Sequence, residues 1–257
     1  MGVRGGDGGE EQDAEFGTVA SWTADAVAVL GDEYAIVASC RGSGDPALLD
    51  WLARSCALSP SVGMVDVGAG VGGASAWAAE KYGVRPVLVE PMEDACRAER
   101  RIFGRTAICA SGDRLPFGDR AFDVAWCVGV LCTVHDKFAL LREIRRVLRP
   151  GGSLGMLVLV AEPGVHSELP RGNEFPDLDE LRDLLAHTGF DVRELIEAAG
   201  GTEPAEWPHQ AQRVDELLAK LHGDDPRWQE AEEQSGKLAH LLETRQLTRR
   251  LVHAVKA

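Results

Sequence analysis

The chain reads as an α/β protein with a doubly wound, mainly parallel sheet, and three observations predict this. Between residues 62 and 160, short valine-rich apolar runs alternate with amphipathic segments, the pattern of strands joined by crossover helices. One run, Val65-Asp66-Val67, breaks into Gly68-Ala69-Gly70-Val71-Gly72-Gly73 and then an alanine-rich segment, which is strand, tight turn and helix. The next run, Pro86-Val87-Leu88-Val89, ends on Glu90, where an acidic side chain at a strand tip can accept hydrogen bonds from both hydroxyls of a ribose.

The elements follow in order. Residues 1–15 begin with a glycine-rich stretch, continue with acidic residues and have no apolar core of a secretory signal, so a disordered tail is expected. Trp22, Ala26, Val29 and Leu30 share a helical stripe, and Leu48, Trp51 and Leu52 repeat the spacing, so residues 16–60 read as helices. Strand 62–67, helix 73–82, strand 86–89, helix 92–103 and strand 107–110 come next. Then follow strand 123–128, a helix over 136–148 with Asp136 as its N-cap and Pro150-Gly151-Gly152 as its stop, and strand 154–160. Residues 178–187 form a helix ended near Gly189, and 192–197 a strand. Within 204–245, Val214, Leu217, Leu218 and Leu221 make one apolar stripe and Leu238, Leu241 and Leu242 another. They are joined through Gly223-Asp224-Asp225-Pro226, where the proline breaks the chain. The last segment, 250–255, alternates as an edge strand does. The organisation is therefore a core of residues 61–200 plus 246–257, a helical cap insertion at 201–245, and helices at 16–60 on the substrate side.

The glycine turn satisfies the dinucleotide fingerprint G-x-G-x-x-G as literally as the shorter G-x-G-x-G. Asp66 separates them, because a dinucleotide-binding strand carries an apolar residue there, whereas a carboxylate can accept from a cationic ligand end such as the ammonium of S-adenosylmethionine. With V-D-V-G-A-G-V-G, V-L-V-E-P-M, L-P-F-G-D-R-A-F-D-V-A-W and L-R-E-I-R-R-V-L-R-P-G-G in this order between residues 63 and 152, the chain resembles the class I S-adenosylmethionine-dependent methyltransferases, in particular the small-molecule branch with ubiquinone-type and natural-product members. The resemblance implies a Rossmann-like seven-stranded sheet, six strands parallel and one antiparallel, with the final strand slotting beside strand 192–197. It also implies S-adenosyl-L-methionine as cofactor, with Gly68, Ala69, Gly70 and Gly72 under its methionine part and Glu90 at its ribose, and with Pro91 and Met92 also in the cofactor-binding set. The segment Ser111, Gly112, Asp113, Arg114 and Leu115 falls at the adenine, and Cys127, Val128 and Gly129 complete the cofactor-binding set. Members of the family commonly carry an Asp four residues before the Leu of L-P-F. Here that position is Ser111, and Asp113 is the nearest carboxylate, an adenine contact or a turn former.

Composition bounds the partners. A chain of 257 residues with 45% hydrophobic content suits a single core with additions. A formal charge of −14, from 27 basic and 41 acidic residues, argues against a nucleic-acid substrate. The one basic run, Arg142, Arg145, Arg146 and Arg149, reads as a solvated helix face whose cations suit a helix C-terminus. Six cysteines show no metal or redox spacing, and because four of them sit in apolar surroundings they read as small buried hydrophobes in a reducing cytoplasm; no stretch of about 20 apolar residues offers a membrane span. A small-molecule substrate is expected, and an exposed cap helix is compatible with a homodimer.

Methyl transfer from a sulfonium is mostly alignment, with a base needed only where the acceptor carries a proton. His135, just after the fourth strand, is the base candidate, since an imidazole of ordinary pKa about 6.5 suits that task; its bland reading is pocket packing. His166 and Glu162, in the loop after strand 154–160, are further candidates. Trp22, Tyr34, Trp207, His209 and Trp228 are candidates for the substrate wall, each with ordinary helix packing as the alternative. Three functional readings stand at this point. The first is methylation of an O, N or C atom of a small metabolite, in specialised, antibiotic-type biosynthesis. The others are an NAD(P)-dependent oxidoreductase and a methyltransferase-like protein catalysing another reaction such as a cyclisation.

Overall fold

The computed structural model describes residues 8–40, 44–165, 168–198 and 206–257. Seven strands, β1 Met64–Val67, β2 Val87–Glu90, β3 Ile108–Cys109, β4 Phe122–Val128, β5 Leu148–Ala161, β6 Phe190–Glu197 and β7 Leu247–Lys256, form one sheet in the order β3-β2-β1-β4-β5-β7-β6. β7 runs antiparallel to both β5 and β6, so the other six strands point one way. The strand order reverses between β1 and β4, which opens a crevice at the carboxyl ends of those strands.

The sheet is apolar on both faces because helices cover both. Along β4, Val124, Trp126 and Val128 pack toward helices α3 (Pro46–Ser55) and α4 (Gly73–Tyr82), while Phe122, Ala125 and Cys127 pack toward α6 (Lys137–Val147) and α7 (Leu178–His187). The expected cap of α6 is present, with the Asp136 carboxylate accepting from the Ala139 amide at 2.8 Å. Helix α5 (Glu93–Phe103) lies beside β2 and β3 and against α1 (Gly8–Leu30).

A separate helical layer is built from both ends of the sequence. Trp22, Ala26 and Val27 of α1 and Val37 of α2 (Ala35–Ser39), with Tyr34 between them, bury their side chains against Val214 and Leu218 of α8 (Glu206–His222) and Trp228 of α9 (Pro226–Glu243). His222 stacks on Trp22 with centroids 4.2 Å apart, and the Arg227 guanidinium lies 5.5 Å from the Trp22 ring.

Four expectations change. β7 is not an edge strand: it sits between β5 and β6, which leaves β6 at the edge, and its alternation reflects pairing on both sides under one half-covered face. Arg149-Pro150-Gly151-Gly152 does not form a loop before the strand. β5 begins at Leu148, opposite Phe122, and the extra residues are absorbed as an irregularity before pairing resumes at Val124↔Ser153. α1 begins at Gly8, so residues 8–15 are helical where a disordered tail was expected, and residues 1–7 lie outside the described residues. Its glycines and acidic residues, with a single alanine, give no apolar periodicity that would announce a helix. β3, expected over 107–110, is reduced to two exposed residues at the opposite edge.

Gly73 fixes the helical layer to the sheet layer. A β-carbon there would collide with the backbone of Ser39 and Cys40, so the end of α2 rests directly on the first residue of α4. Gly73→Ala is expected to lower unfolding free energy by about 1–3 kcal/mol, as overpacking against backbone does. Denaturant titration of the two proteins side by side checks this, and unchanged stability would show that α2 is free to move aside.

Candidate active site

The crevice is organised by three left-handed glycines between β1 and α4. Gly68, Gly70 and Gly72 have φ of 75°, 56° and 84°, values at which any other residue is strained. Gly68 is also sterically required, since a β-carbon would collide with Val130, and at Gly72 it would lie 2.8 Å from Glu99 Cγ. Gly70 differs, because no described residue stands within 4 Å of where its β-carbon would be, so this part of the turn faces open space. The amides of Gly68 and Ala69 donate to the Val89 carbonyl at 2.8 and 3.1 Å and tie the turn to the tip of β2.

Glu90 closes the turn. It is 2% exposed, and its carboxylate accepts from the Gly70 amide at 2.8 Å through one oxygen and from the Met92 amide at 3.0 Å through the other. One side chain therefore fixes the loop after β1 and the loop after β2 together. Asp66, also 2% exposed, accepts from the Ser75 hydroxyl of α4 at 2.7 Å, and no cation pairs with it among the described residues. Burial pushes its carboxyl up to about 6, with the Ser75 hydrogen bond opposing and the Glu90 charge adding to the rise. Burial, with the Asp66 charge contributing, also pushes the Cys40 thiol up to about 12 and raises that of Cys127. Both are neutral thiols beside the carboxylate.

The structure brings together Asp66, Gly68, Ala69, Gly70, Gly72, Glu90 and Met92 around one turn. It treats the remaining predicted positions differently. Gly112 packs where a β-carbon would meet Leu140 and Val67, and Ser111, Asp113 and Arg114 are exposed on the turn beyond β3. Leu115 is a core residue whose amide donates to Glu143 at 3.0 Å. The side chains of Cys127 and Val128 are packed in the two cores, and Gly129, at φ 75°, carries the chain over the edge with its amide on the Leu157 carbonyl.

Sequence reasoning missed Ser75, which holds Asp66, and Ser39 with Cys40, which wall the turn from above. Their signal was weak: one hydroxyl in an alanine run, and a pair far away in sequence. It also missed Glu99, fully buried beneath the turn, with one carboxylate oxygen on the Ala107 amide at 3.1 Å and the other unpartnered.

The catalytic and wall candidates fare less well. His135 is at the mouth of the loop after β4, but its side chain is 94% exposed and its Nδ1 meets Glu174 Oε1 at 3.1 Å, while Lys137 holds the other oxygen at 3.1 Å. Glu162 accepts from Thr248 Oγ1 at 2.8 Å and Arg250 Nη2 at 3.1 Å, so it is engaged in tying β5 to β7. His166 lies outside the described residues. Trp22, Tyr34 and Trp228 are buried between helices, Trp207 is half-buried against two cores, and His209 is exposed. The helical layer thus consumes most of the aromatics expected on a substrate wall.

Comparison with known proteins follows the same outline. Residues 65–156 match a family described as "Methyltransferase domain". The chain is 31% identical over 146 residues to a glycine/sarcosine/dimethylglycine N-methyltransferase of Actinopolyspora halophila, an alignment covering 54% of this chain and 25% of that protein. It is 28% identical over 158 residues to methyltransferase GfsG of Streptomyces halstedii, covering 55% and 57%. The chain thus spans a quarter to somewhat over half the length of these curated relatives. Among solved structures, the [4+2]-cyclase SpnF superposes with a TM-score of 0.66 at 22% identity over 82% of this chain and 80% of that one, a likeness of fold.

Asp66 makes the stability of the fold sensitive to pH. Its carboxyl in the folded state, near 6, lies above the ordinary value of 3.8, so the stabilisation it gives is present at low pH and is lost as pH rises through about 6. Asp66→Asn keeps an acceptor for Ser75 and removes that loss. Relative to the variant, the unliganded natural protein is expected to be roughly 1 kcal/mol or more weaker at pH 8 than at pH 5. Paired denaturation curves at the two pH values check this, and parallel behaviour of the two proteins would refute it.

Proposed function

We propose that this chain, at its core a member of the class I S-adenosylmethionine-dependent methyltransferases, binds S-adenosylmethionine at the β1–α4 turn and methylates an O, N or C atom of a small organic metabolite. The observation that carries the proposal is the buried, cation-free carboxylate of Asp66 beside the Glu90-held glycine turn. A buried anion without a counter-charge is costly, and a ligand ending in an ammonium relieves that cost. The pyrophosphate of a nicotinamide dinucleotide would add negative charge between two carboxylates, which disfavours the oxidoreductase reading.

In this reading Asp66, held by Ser75, receives the ammonium; Gly70, open above the turn, lets the backbone approach the ligand; and Glu90 accepts from the ribose hydroxyls. A carboxylate takes up to about four hydrogen bonds, so this is compatible with its two loop amides. Met92 and the exposed turn at Ser111 and Asp113 flank the adenine. When bound, S-adenosylmethionine supplies a methyl group activated by its positive sulfur. The protein's contribution is orientation and exclusion of water by the helical layer and the loops after β4 and β5. The solvent-facing pair of His135 with Glu174 supports a role in holding the loop after β4 rather than in taking a proton. A likeness to the 27-O-demethylrifamycin SV methyltransferase of Amycolatopsis mediterranei, 31% identical over 118 residues, supports a place in natural-product biosynthesis.

Thermal unfolding with S-adenosylhomocysteine, NAD and NADP in parallel tests the cofactor, because a ligand that binds only the folded chain raises its apparent stability. A shift with S-adenosylhomocysteine alone is expected; a shift with a nicotinamide dinucleotide would overturn the reading. By calorimetry, Asp66→Ala and Glu90→Ala are each expected to weaken S-adenosylhomocysteine binding by about tenfold or more. Affinity of the natural protein is expected to rise between about pH 5 and pH 7 as Asp66 ionises, and to lose that rise in Asp66→Asn.

A further inference from the structure

At the opposite rim of the sheet, where the parallel strands begin, lies a groove of about 750 Å³ that no part of the proposed reaction uses. It is bordered by the loop before β4, the start of β5, the end of β7, one side of α6 and the end of α7. Four cations converge on it from three different elements: Arg120 from the loop before β4, Arg142 and Arg145 from α6, and Lys256 from β7. Phe138, 43% exposed, and Pro150 add an apolar side.

These cations are only partly compensated by the protein: the Glu143 charge acts on Arg142 and the Asp119 charge on Lys256, yet neither carboxylate makes a direct hydrogen bond to them. Arg146, from the same helix, is fully engaged with Glu143, Asp119 and the carbonyls of Leu115 and Phe117, and so consumes both acidic side chains of the groove. Arg145 meets only the backbone oxygens of Gly189 and Ala257, and Lys256 that of Leu148. Arg120 and Arg142 have no side-chain hydrogen bond or ion pair among the described residues. Compensation of a helix C-terminus accounts for Arg145 and Arg146 in the last turn of α6 and for Lys256 on its C-cap carbonyl, but not for Arg120, from another element, or Arg142, a turn earlier. Burial, and then the neighbouring Arg145 and Arg120, hold the Lys256 ammonium below its ordinary range. A concentration of like charge in a chain of net charge −14 is a local cost that an anion would remove.

We propose that this groove binds the phosphoryl group of a small, soluble phosphate ester, whose organic part lies along Phe138 and Pro150. Forked guanidinium groups and an ammonium converging from several sides match the tetrahedral oxygens of a phosphate. The site is distinct from the crevice and independent of the cofactor assignment.

The test uses phenyl phosphate and pyrophosphate as probes, titrated by calorimetry into the full chain and into an Arg120→Asn, Lys256→Met double variant. Asn tolerates the left-handed backbone of position 120 (φ 59°) and Met keeps the buried stem of Lys256. A second variant, Arg142→Gln, changes only an exposed helix position. Binding is expected in the natural protein and to weaken by about tenfold or more in both variants, with S-adenosylhomocysteine affinity unchanged. No binding of either probe, or equal binding in the variants, would overturn the proposal. Flotation with phosphatidylcholine vesicles containing phosphatidic acid separates the sources. No flotation supports a soluble ester, whereas flotation lost in the variants would assign the groove to a lipid headgroup and overturn the soluble-ester proposal.

Discussion

The carboxylate of Glu90 is the point on which the carboxyl edge of the sheet depends. It takes one amide from the turn after β1 and one from the turn after β2, so the two loops that border the crevice share a single anchor. The three left-handed glycines only allow the turn to adopt its path; the charge-assisted hydrogen bonds select it. Because Glu90 is buried, it is also part of the electrostatic environment of Asp66 on the neighbouring strand, and it adds to the raised pKa there. Loop geometry and ligand preference thus have a common origin.

That origin explains the charge logic of the site. Two buried carboxylates on adjacent strands place negative charge at the turn, an electrostatic setting that suits a ligand carrying positive charge. The neutral thiols of Cys40 and Cys127 near Asp66 add polarisable, uncharged surface and leave its charge uncompensated. The site is therefore prepared electrostatically before any ligand arrives, at some expense to the stability of the empty protein.

Much of this was legible in sequence because it rests on local signals. The strand, glycine turn and helix, the acidic tip of β2, the Asp136 cap and the proline break before α9 are all written within a few residues of one another. What was not legible depends on pairings across the chain. The insertion of β7 between β5 and β6 is a tertiary arrangement that an alternating pattern cannot distinguish from an edge. Ser75 acquires its role only because it faces Asp66, and Ser39 only because Gly73 admits its backbone. The aromatics were visible, but which of them face a crevice and which pack between helices is decided by docking of the two terminal segments. The basic run was read as a solvated face; in three dimensions Arg146 is a structural clamp, Arg149 pairs with Asp123, and the others border a groove with residues from elsewhere.

The interlocked helical layer has a consequence for how chains of this architecture can diverge. Trp22 contacts both His222 and Arg227, and Tyr34, Val214, Leu218 and Trp228 share one core, so the N-terminal helices and the α8–α9 pair are a single module encoded by two distant stretches. Recombination that exchanges only one stretch would leave large aromatic surfaces without partners. New specificities built by exchange would have to transfer both segments together, whereas point substitutions in the loops over the sheet edge can accumulate singly. Chimaeras that exchange residues up to 60 together with residues 201–245, leaving β7 in its sheet, are the natural units for engineering this scaffold.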